Sequence, residues 1–117
     1  MITYRKILYI QNTMKWAMMR QLVISPRLTE KLIKKHRVRR VEVEECFYNR
    51  TGIVLEDTRA EHQTEPPTVW FIAPTHQNRL LKIVYVLNDG VVYLKTVFEP
   101  NPREKLLYLR MALGDHL

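Results

Sequence analysis

The chain has 117 residues, with 19 lysines and arginines against 12 aspartates and glutamates, a formal net charge of +7. That length supports one hydrophobic core and excludes a second domain, while the positive excess favours polyanionic partners such as nucleic acid or a membrane surface. The single cysteine, Cys46, excludes an internal disulfide and a cysteine metal cluster.

Residues 1–21 carry Arg5, Lys6, Lys15 and Arg20 with no acid and no clear periodicity. They are expected to be a basic extension or a loosely held arm, with Met14, Met18 and Met19 each able to initiate translation and an amphipathic membrane or partner helix as the lesser alternative. The domain proper is expected over 22–117. The arm lacks an uninterrupted apolar core and a small-residue cleavage site of the secretory kind, and no apolar run nears the roughly 18 residues that span a bilayer. With one free cysteine, the expectation is a soluble chain in a reducing cytoplasm, with no membrane partner.

From Leu22 the signals sharpen. Ser25 is an N-cap followed by Pro26 at the first helical position, and Leu28, Leu32 and Ile33 are expected on one face of a helix ending near His36. The run Lys34-Lys35-His36-Arg37-Val38-Arg39-Arg40 is the densest positive cluster in the chain. It falls at a helix C-terminus, where the macrodipole favours cations, so it reads both as helix termination and as a polyanion patch. A second helix follows, with Val41, Val43, Cys46 and Phe47 as its buried stripe and Thr51-Gly52 as its stop. Ile53, Val54 and Leu55 begin a sheet, whereas EDTRAEHQTEPP (56–67) is too polar to pack and is expected to be a long functional or disordered loop. Two prolines end it before the strand Thr68–Ala73.

The strongest structural signal is RLLKIVYVLNDGVVYLKTVFE (79–99), two strands folded through Asp89-Gly90, the residue types that a positive-φ hairpin turn demands. That turn sets Asn88 opposite Val91, Leu87 opposite Val92, Tyr85 opposite Leu94 and Ile83 opposite Thr96. Period-two alternation then puts Leu81, Ile83, Tyr85, Leu87, Val92, Leu94 and Phe98 on a core face. The other face receives Lys82, Val84, Val86, Tyr93, Lys95 and Val97, and two lysines there predict an open face suited to an anionic ligand. Lys82 and Lys95 as sheet-edge solubility devices are the plain alternative. Finally Asn101 caps a helix with Pro102 at its first position, burying Leu106, Leu107, Leu109, Met111 and Leu113. The expected fold is α+β: a small antiparallel four-stranded sheet with two N-terminal helices and one C-terminal helix, the helices packed on one side.

No glycine-rich phosphate loop, nucleophile elbow or metal-ligand spacing is present, and no metal or cofactor is expected. The remaining chemistry-bearing residues are Arg59 and His62 on the long loop, Arg79 and Lys82 on the third strand, Lys95 on the fourth, and Glu104 with Tyr108 one turn apart on the last helix. RNA cleavage by transesterification needs only a base for the 2′-hydroxyl, cations for the developing phosphorane charge and an acid for the leaving oxygen. Arg59, His62, Arg79 and Lys82 are expected nearest the scissile phosphate. Lys34, Lys35, Arg39, Arg40 and Lys95 are expected on the nucleic-acid backbone.

The segments LTEKLIKKHRVRRVEVEECF, EDTR, VWFIAPTHQNRLLKIVYV and VYLKTVFEPNPREKLLY resemble the BrnT-type toxins of bacterial toxin–antitoxin pairs, which share the RelE-like ribonuclease fold. The resemblance covers about residues 22–110, and its most specific parts are Lys35-His36, Arg79, the strand with Thr96, and Glu104 with Tyr108. It implies a metal-independent endoribonuclease that arrests translation and is neutralised by a cognate antitoxin protein, with RNA as substrate. The same segments are similar to short proteins bearing the name ADP-ribosyl-(dinitrogen reductase) hydrolase. True hydrolases of that name are large helical proteins with a paired-metal carboxylate site, which neither this length nor any carboxylate cluster supports. The alternative function on the same fold is a non-catalytic module that binds nucleic acid or protein, and a homodimer is compatible with either.

Overall fold

The computed structural model describes residues 4–7, 21–51, 53–57, 59 and 63–113. Its strands are β1 (Tyr4–Ile7), β2 (Leu22–Val23), β3 (Val54–Asp57), β4 (Thr68–Pro74), β5 (Leu80–Asn88) and β6 (Val91–Phe98). Its helices are α1 (Pro26–Lys31), continued by a π-helical turn over Leu32–His36, α2 (Arg40–Asn49) and α3 (Pro102–Leu113). Among the described residues the strands make one 6-stranded sheet in the order β1-β3-β4-β5-β6-β2. Every pairing is antiparallel except that of β2 with β6.

The α+β class therefore holds, while the four antiparallel strands foreseen are the centre of a wider, mixed sheet. The two added strands come from segments with weak local signals. β1 lies inside the basic arm and pairs with β3, so Tyr4–Ile7 is a sheet edge and not loose chain; residues 8–20 lie outside the described residues. β2 has only two residues, held parallel to β6 and steadied by the Val92 N–H donating to the Gln21 carbonyl at 3.0 Å.

Local chemistry accounts for the ends of the elements. The Ser25 hydroxyl accepts the Leu28 N–H at 3.1 Å, capping α1 ahead of Pro26. In α3 the Asn101 side chain accepts from the Glu104 N–H at 2.8 Å and Glu104 accepts from the Asn101 N–H at 3.0 Å, a reciprocal capping box. Asp89 and Gly90 both have positive φ, 55° and 79°, as the two-residue hairpin turn requires.

The hairpin register holds from Asn88↔Val91 to Tyr85↔Leu94 and then slips by one residue between Tyr85 and Val84. Beyond this bulge Val84 faces Thr96, Ile83 faces Val97 and Lys82 faces Phe98. An extra residue on one strand reverses which way the later side chains point. Val97 is consequently fully buried in the main core, and Phe98 moves to the face of Lys82 and Val84, the reverse of the sequence expectation.

The helices take both faces of the sheet, not one. The π-turn, the link after it and α2 bury Leu32, Val38, Val43, Cys46 and Phe47 against Val69, Phe71, Leu81, Ile83 and Tyr85, with Leu28 of α1 half-buried beside them. α3 packs Leu107, Tyr108 and Met111 on the opposite face against Leu55, Trp70 and Ile72. Four apolar positions foreseen as core are exposed: Ile33, Val41, Leu106 and Leu109. Each helical residue turns the chain by about 100°, so Ile33 sits a quarter-turn from buried Leu32, and Val41 stands across α2 from Val43. In α3 the inward stripe is 107, 108 and 111, which leaves 106 and 109 outside; nothing is described of the Leu113 side chain. The stretch expected to be all loop also begins inside the sheet, since Glu56 and Asp57 belong to β3 and Asp57 is buried.

Candidate functional site

The partly covered face of the sheet forms a cleft of about 500 Å³ beside the N-terminal end of α3. β4 and β5 supply its floor through Trp70, Lys82 and Val84, and β6 contributes Lys95, Thr96 and Phe98. The bulge makes this set possible, because it turns Thr96 and Phe98 to the same side as Lys82. Glu104, Asp57, Arg59, Thr64 and Thr68 complete its lining.

Two ion pairs lie in the cleft. Lys82 Nζ donates to Glu104 Oε2 at 2.8 Å, with the lysine side chain 9% and the glutamate 23% exposed. The same ammonium lies 4.4 Å from the Trp70 ring centroid and 5.4 Å from that of Phe98, so two aromatic faces offset part of its lost hydration. Burial alone would raise the Glu104 carboxyl, but the Lys82 hydrogen bond, the Asn101 N–H and the nearby charges of Lys82 and Arg59 hold it below the usual carboxylate range. The second pair is bidentate. Arg59 Nε and Nη2 donate to Asp57 Oδ1 and Oδ2 at 2.9 and 2.7 Å, and the Arg59 backbone N–H adds a third bond at 3.2 Å. Thr64 and Thr68 hydroxyls are 3.0 Å apart in the lining, and Lys95 is exposed there with no ion pair among the described residues.

The structure thus brings together Arg59, Lys82, Lys95 and Glu104 out of the residues singled out by sequence. Tyr108 is elsewhere in its chemistry: its hydroxyl donates to the Ile53 carbonyl at 2.5 Å, and burial pushes its phenol up to about 12, which suits a packing role. His62 lies outside the described residues.

Arg79 is also structural. Its guanidinium donates to the carbonyls of Arg37 and His36 at 2.7 and 2.8 Å, to Glu42 at 3.1 Å and to Glu99 at 2.9 Å. Those bonds tie the end of the π-turn to α2 and to the end of β6, and commit four of the five guanidinium N–H groups inside the protein. Glu42 pays in both directions: burial would raise its carboxyl, but the Arg39 N–H and Arg79 draw it below the ordinary value.

The basic run of 34–40 divides. Lys34 pairs with Glu30 and Arg40 with Glu44, both at 2.9 Å, Arg40 also donating to the Leu22 carbonyl at 2.8 Å, and Arg39 lies 3.7 Å from Glu42. Lys35 instead joins His36, Arg37, Arg79 and Glu99 around a second groove of about 470 Å³, whose remaining wall is Phe98. Phe98 lines both depressions.

Sequence reasoning missed Asp57, Trp70 and Phe98. An acid and an arginine two apart in sequence, Asp57 at the end of β3 and Arg59 just beyond it, are close enough along the chain to pair, which was a usable signal. Trp70 alternates with Val69 and Phe71 in a strand buried on both sides, so its face was open in principle. The position of Phe98 depended on a bulge with no signature in the hairpin residues. Among the described residues no helix is long and apolar enough to cross a membrane, and no group of three or more His, Cys, Asp or Glu is placed to hold a metal ion. No protein-family model matches the chain, and no curated protein matches it either, so its chemistry rests on these residues themselves.

Proposed function

We propose that the chain is a metal-independent endoribonuclease of the toxin type, resembling the RelE-like BrnT toxins, and that it cuts RNA in the cleft between Trp70 and Phe98. The observation that carries this reading is the Lys82–Glu104 pair, an ionised carboxylate and an ammonium 2.8 Å apart in a cleft with aromatic walls. Glu104 takes the proton of a ribose 2′-hydroxyl as its oxygen bonds to the adjacent phosphorus. Lys82 and Arg59 meet the negative charge that builds on the phosphoryl oxygens. The bond from phosphorus to the 5′ oxygen breaks, and that oxygen takes a proton from the Lys95 ammonium, leaving a 2′,3′-cyclic phosphate. A cognate antitoxin is the expected protein partner.

Purified protein incubated with total RNA in EDTA is expected to yield discrete fragments with cyclic-phosphate ends. Glu104→Gln, which retains the cap, is expected to lower the rate about a hundredfold, the scale of one lost general base. Intact RNA with the wild-type chain, or equal cleavage by Glu104→Gln, overturns the proposal. The second reading, a binding module without catalysis, is favoured by the internal pairing of Asp57 with Arg59 and by the pairing of Arg79 with Glu42 and Glu99. RNA bound by the wild-type chain but left uncut assigns it.

A further inference from the structure

We propose that the backbone of a single-stranded RNA is held in the groove formed by Lys35, Arg37 and Phe98, and not by Lys34, Arg39 or Arg40 of the same basic run. The inference rests on RNA being the ligand and deepens that reading by naming where its phosphates lie.

The first argument is what the charges are already doing. Lys34, Arg39 and Arg40 each meet a glutamate of their own helix within 4 Å. Lys35 and Arg37 are exposed and have no ion pair among the described residues.

The plain explanation for cations at this position is neutralisation of the last helical carbonyls. Here that task is performed from another element. Arg79 donates to the His36 and Arg37 carbonyls, and the Val38 N–H donates to the Leu32 carbonyl at 3.0 Å. The Lys35 and Arg37 side chains are therefore not what satisfies the Leu32 and His36 carbonyls.

The groove is also held in a particular shape. Arg37 is a non-glycine residue at φ 55°, ψ 44°, a left-handed conformation that costs about 1–2 kcal/mol for a residue with a β-carbon. Arg79 fixes it through both neighbouring carbonyls while anchored to Glu42 and Glu99, which makes Arg79 a positioning residue. Three cations then face one carboxylate, Glu99, across the groove, and that carboxylate is bound to Arg79 at 2.9 Å. His36 adds a ring whose centroid is 6.1 Å from that of Phe98. Burial, with Lys35 and Lys31 nearby, keeps its imidazole below its ordinary value, so it offers a neutral flat face of the sort on which bases stack. Because Phe98 also walls the cleft of Lys82 and Glu104, a strand held in the groove is delivered to that cleft.

The test uses a 2′-O-methyl single-stranded RNA, which lacks the attacking hydroxyl and so reports binding alone, titrated against the full chain over a range of salt. Lys35→Gln with Arg37→Asn removes both charges while retaining a residue that tolerates the left-handed backbone; an unchanged melting temperature confirms the fold. The expected result is a slope of log affinity against log salt shallower by about 1.4, two phosphate contacts at about 0.7 each for a single strand. Lys34→Gln/Arg39→Gln/Arg40→Gln is expected to leave the slope unaltered. The proposal is overturned if the triple variant takes the loss, if the double variant keeps the wild-type slope, or if the wild-type chain binds no RNA, which leaves an acidic protein as the groove's ligand. Unmodified RNA that stays intact in EDTA while the slope still depends on Lys35 and Arg37 removes the cleavage reading and leaves this one standing.

Discussion

The two faces of the central sheet are built from the same strands yet end differently. Under α1 and α2, Val43, Cys46 and Phe47 meet Phe71, Ile83 and Tyr85, and each of these is at most 1% exposed. On the other face, among the described residues, the helix α3, of 12 residues, packs around Leu55, Trp70 and Ile72. Alongside it four charged residues are left in the cleft in two pairs, Lys82 with Glu104 and Asp57 with Arg59, with Lys95 beside them. A face with enough apolar cover closes by burial, which is non-directional. A face short of cover must satisfy its buried charges through specific geometry, and that geometry can then be used by a ligand.

The contrast can be broken most sharply at Phe47, whose ring packs 5.0 Å from Phe71 and 5.3 Å from Tyr85, centroid to centroid. Phe47→Ala is expected to cost about 3–5 kcal/mol in denaturant unfolding. A loss under about 1 kcal/mol would mean that this face is not the closed one.

On the cleft side Lys82→Met should cost less, about 2 kcal/mol, since the stem is kept and the penalty comes from Glu104 losing its ammonium. Adding Glu104→Gln should recover most of that loss; a double variant no better than the sum of the singles would show that the two side chains act independently. The pH dependence tests the same bond. A carboxyl whose folded pKa is lowered contributes stability that is present above its unfolded value, about 4.5 for Glu104, and is lost as pH falls through the lower folded value. The acid limb of the wild-type stability profile should accordingly be steeper than that of Lys82→Met.

The smallest effect is expected on the outer stripe of α3. Leu106→Ser and Leu109→Ser should change stability by no more than about 0.5 kcal/mol, as for ordinary surface positions, since these leucines are 57% and 53% exposed. Thermal melts showing a large loss in either would mean that α3 is covered on its outer side in solution.

Local chemistry wrote much of this fold legibly. The Ser25 and Asn101 caps, the Asp89-Gly90 turn and the first half of the hairpin register depend on residues within a few positions of one another, and each stands as the residues alone imply. The joint placement of Lys82, Lys95 and Glu104 was half legible, because alternation put both lysines on one face and the capping box fixed Glu104 near the start of its helix. What could not be read was any decision made between distant segments. The bulge at Val84 and Tyr85 exchanged Val97 with Phe98, the basic arm gave a strand to β3, and α3 crossed to the face opposite α2.

The fate of the arginines separates the two kinds of information. A guanidinium has the same charge wherever the chain carries it, so sequence determined that Arg37, Arg39, Arg40 and Arg79 are cations and where they cluster along the chain. Arg39 and Arg40 find their acids within a turn of helix, whereas only the tertiary structure decided that Arg79 meets Glu42 and Glu99, 37 and 20 residues away, and that Arg37 lines the groove with no ion pair among the described residues. The reason is that an ion pair is set by distance in space, and sequence specifies that distance only within a turn of helix or a tight hairpin.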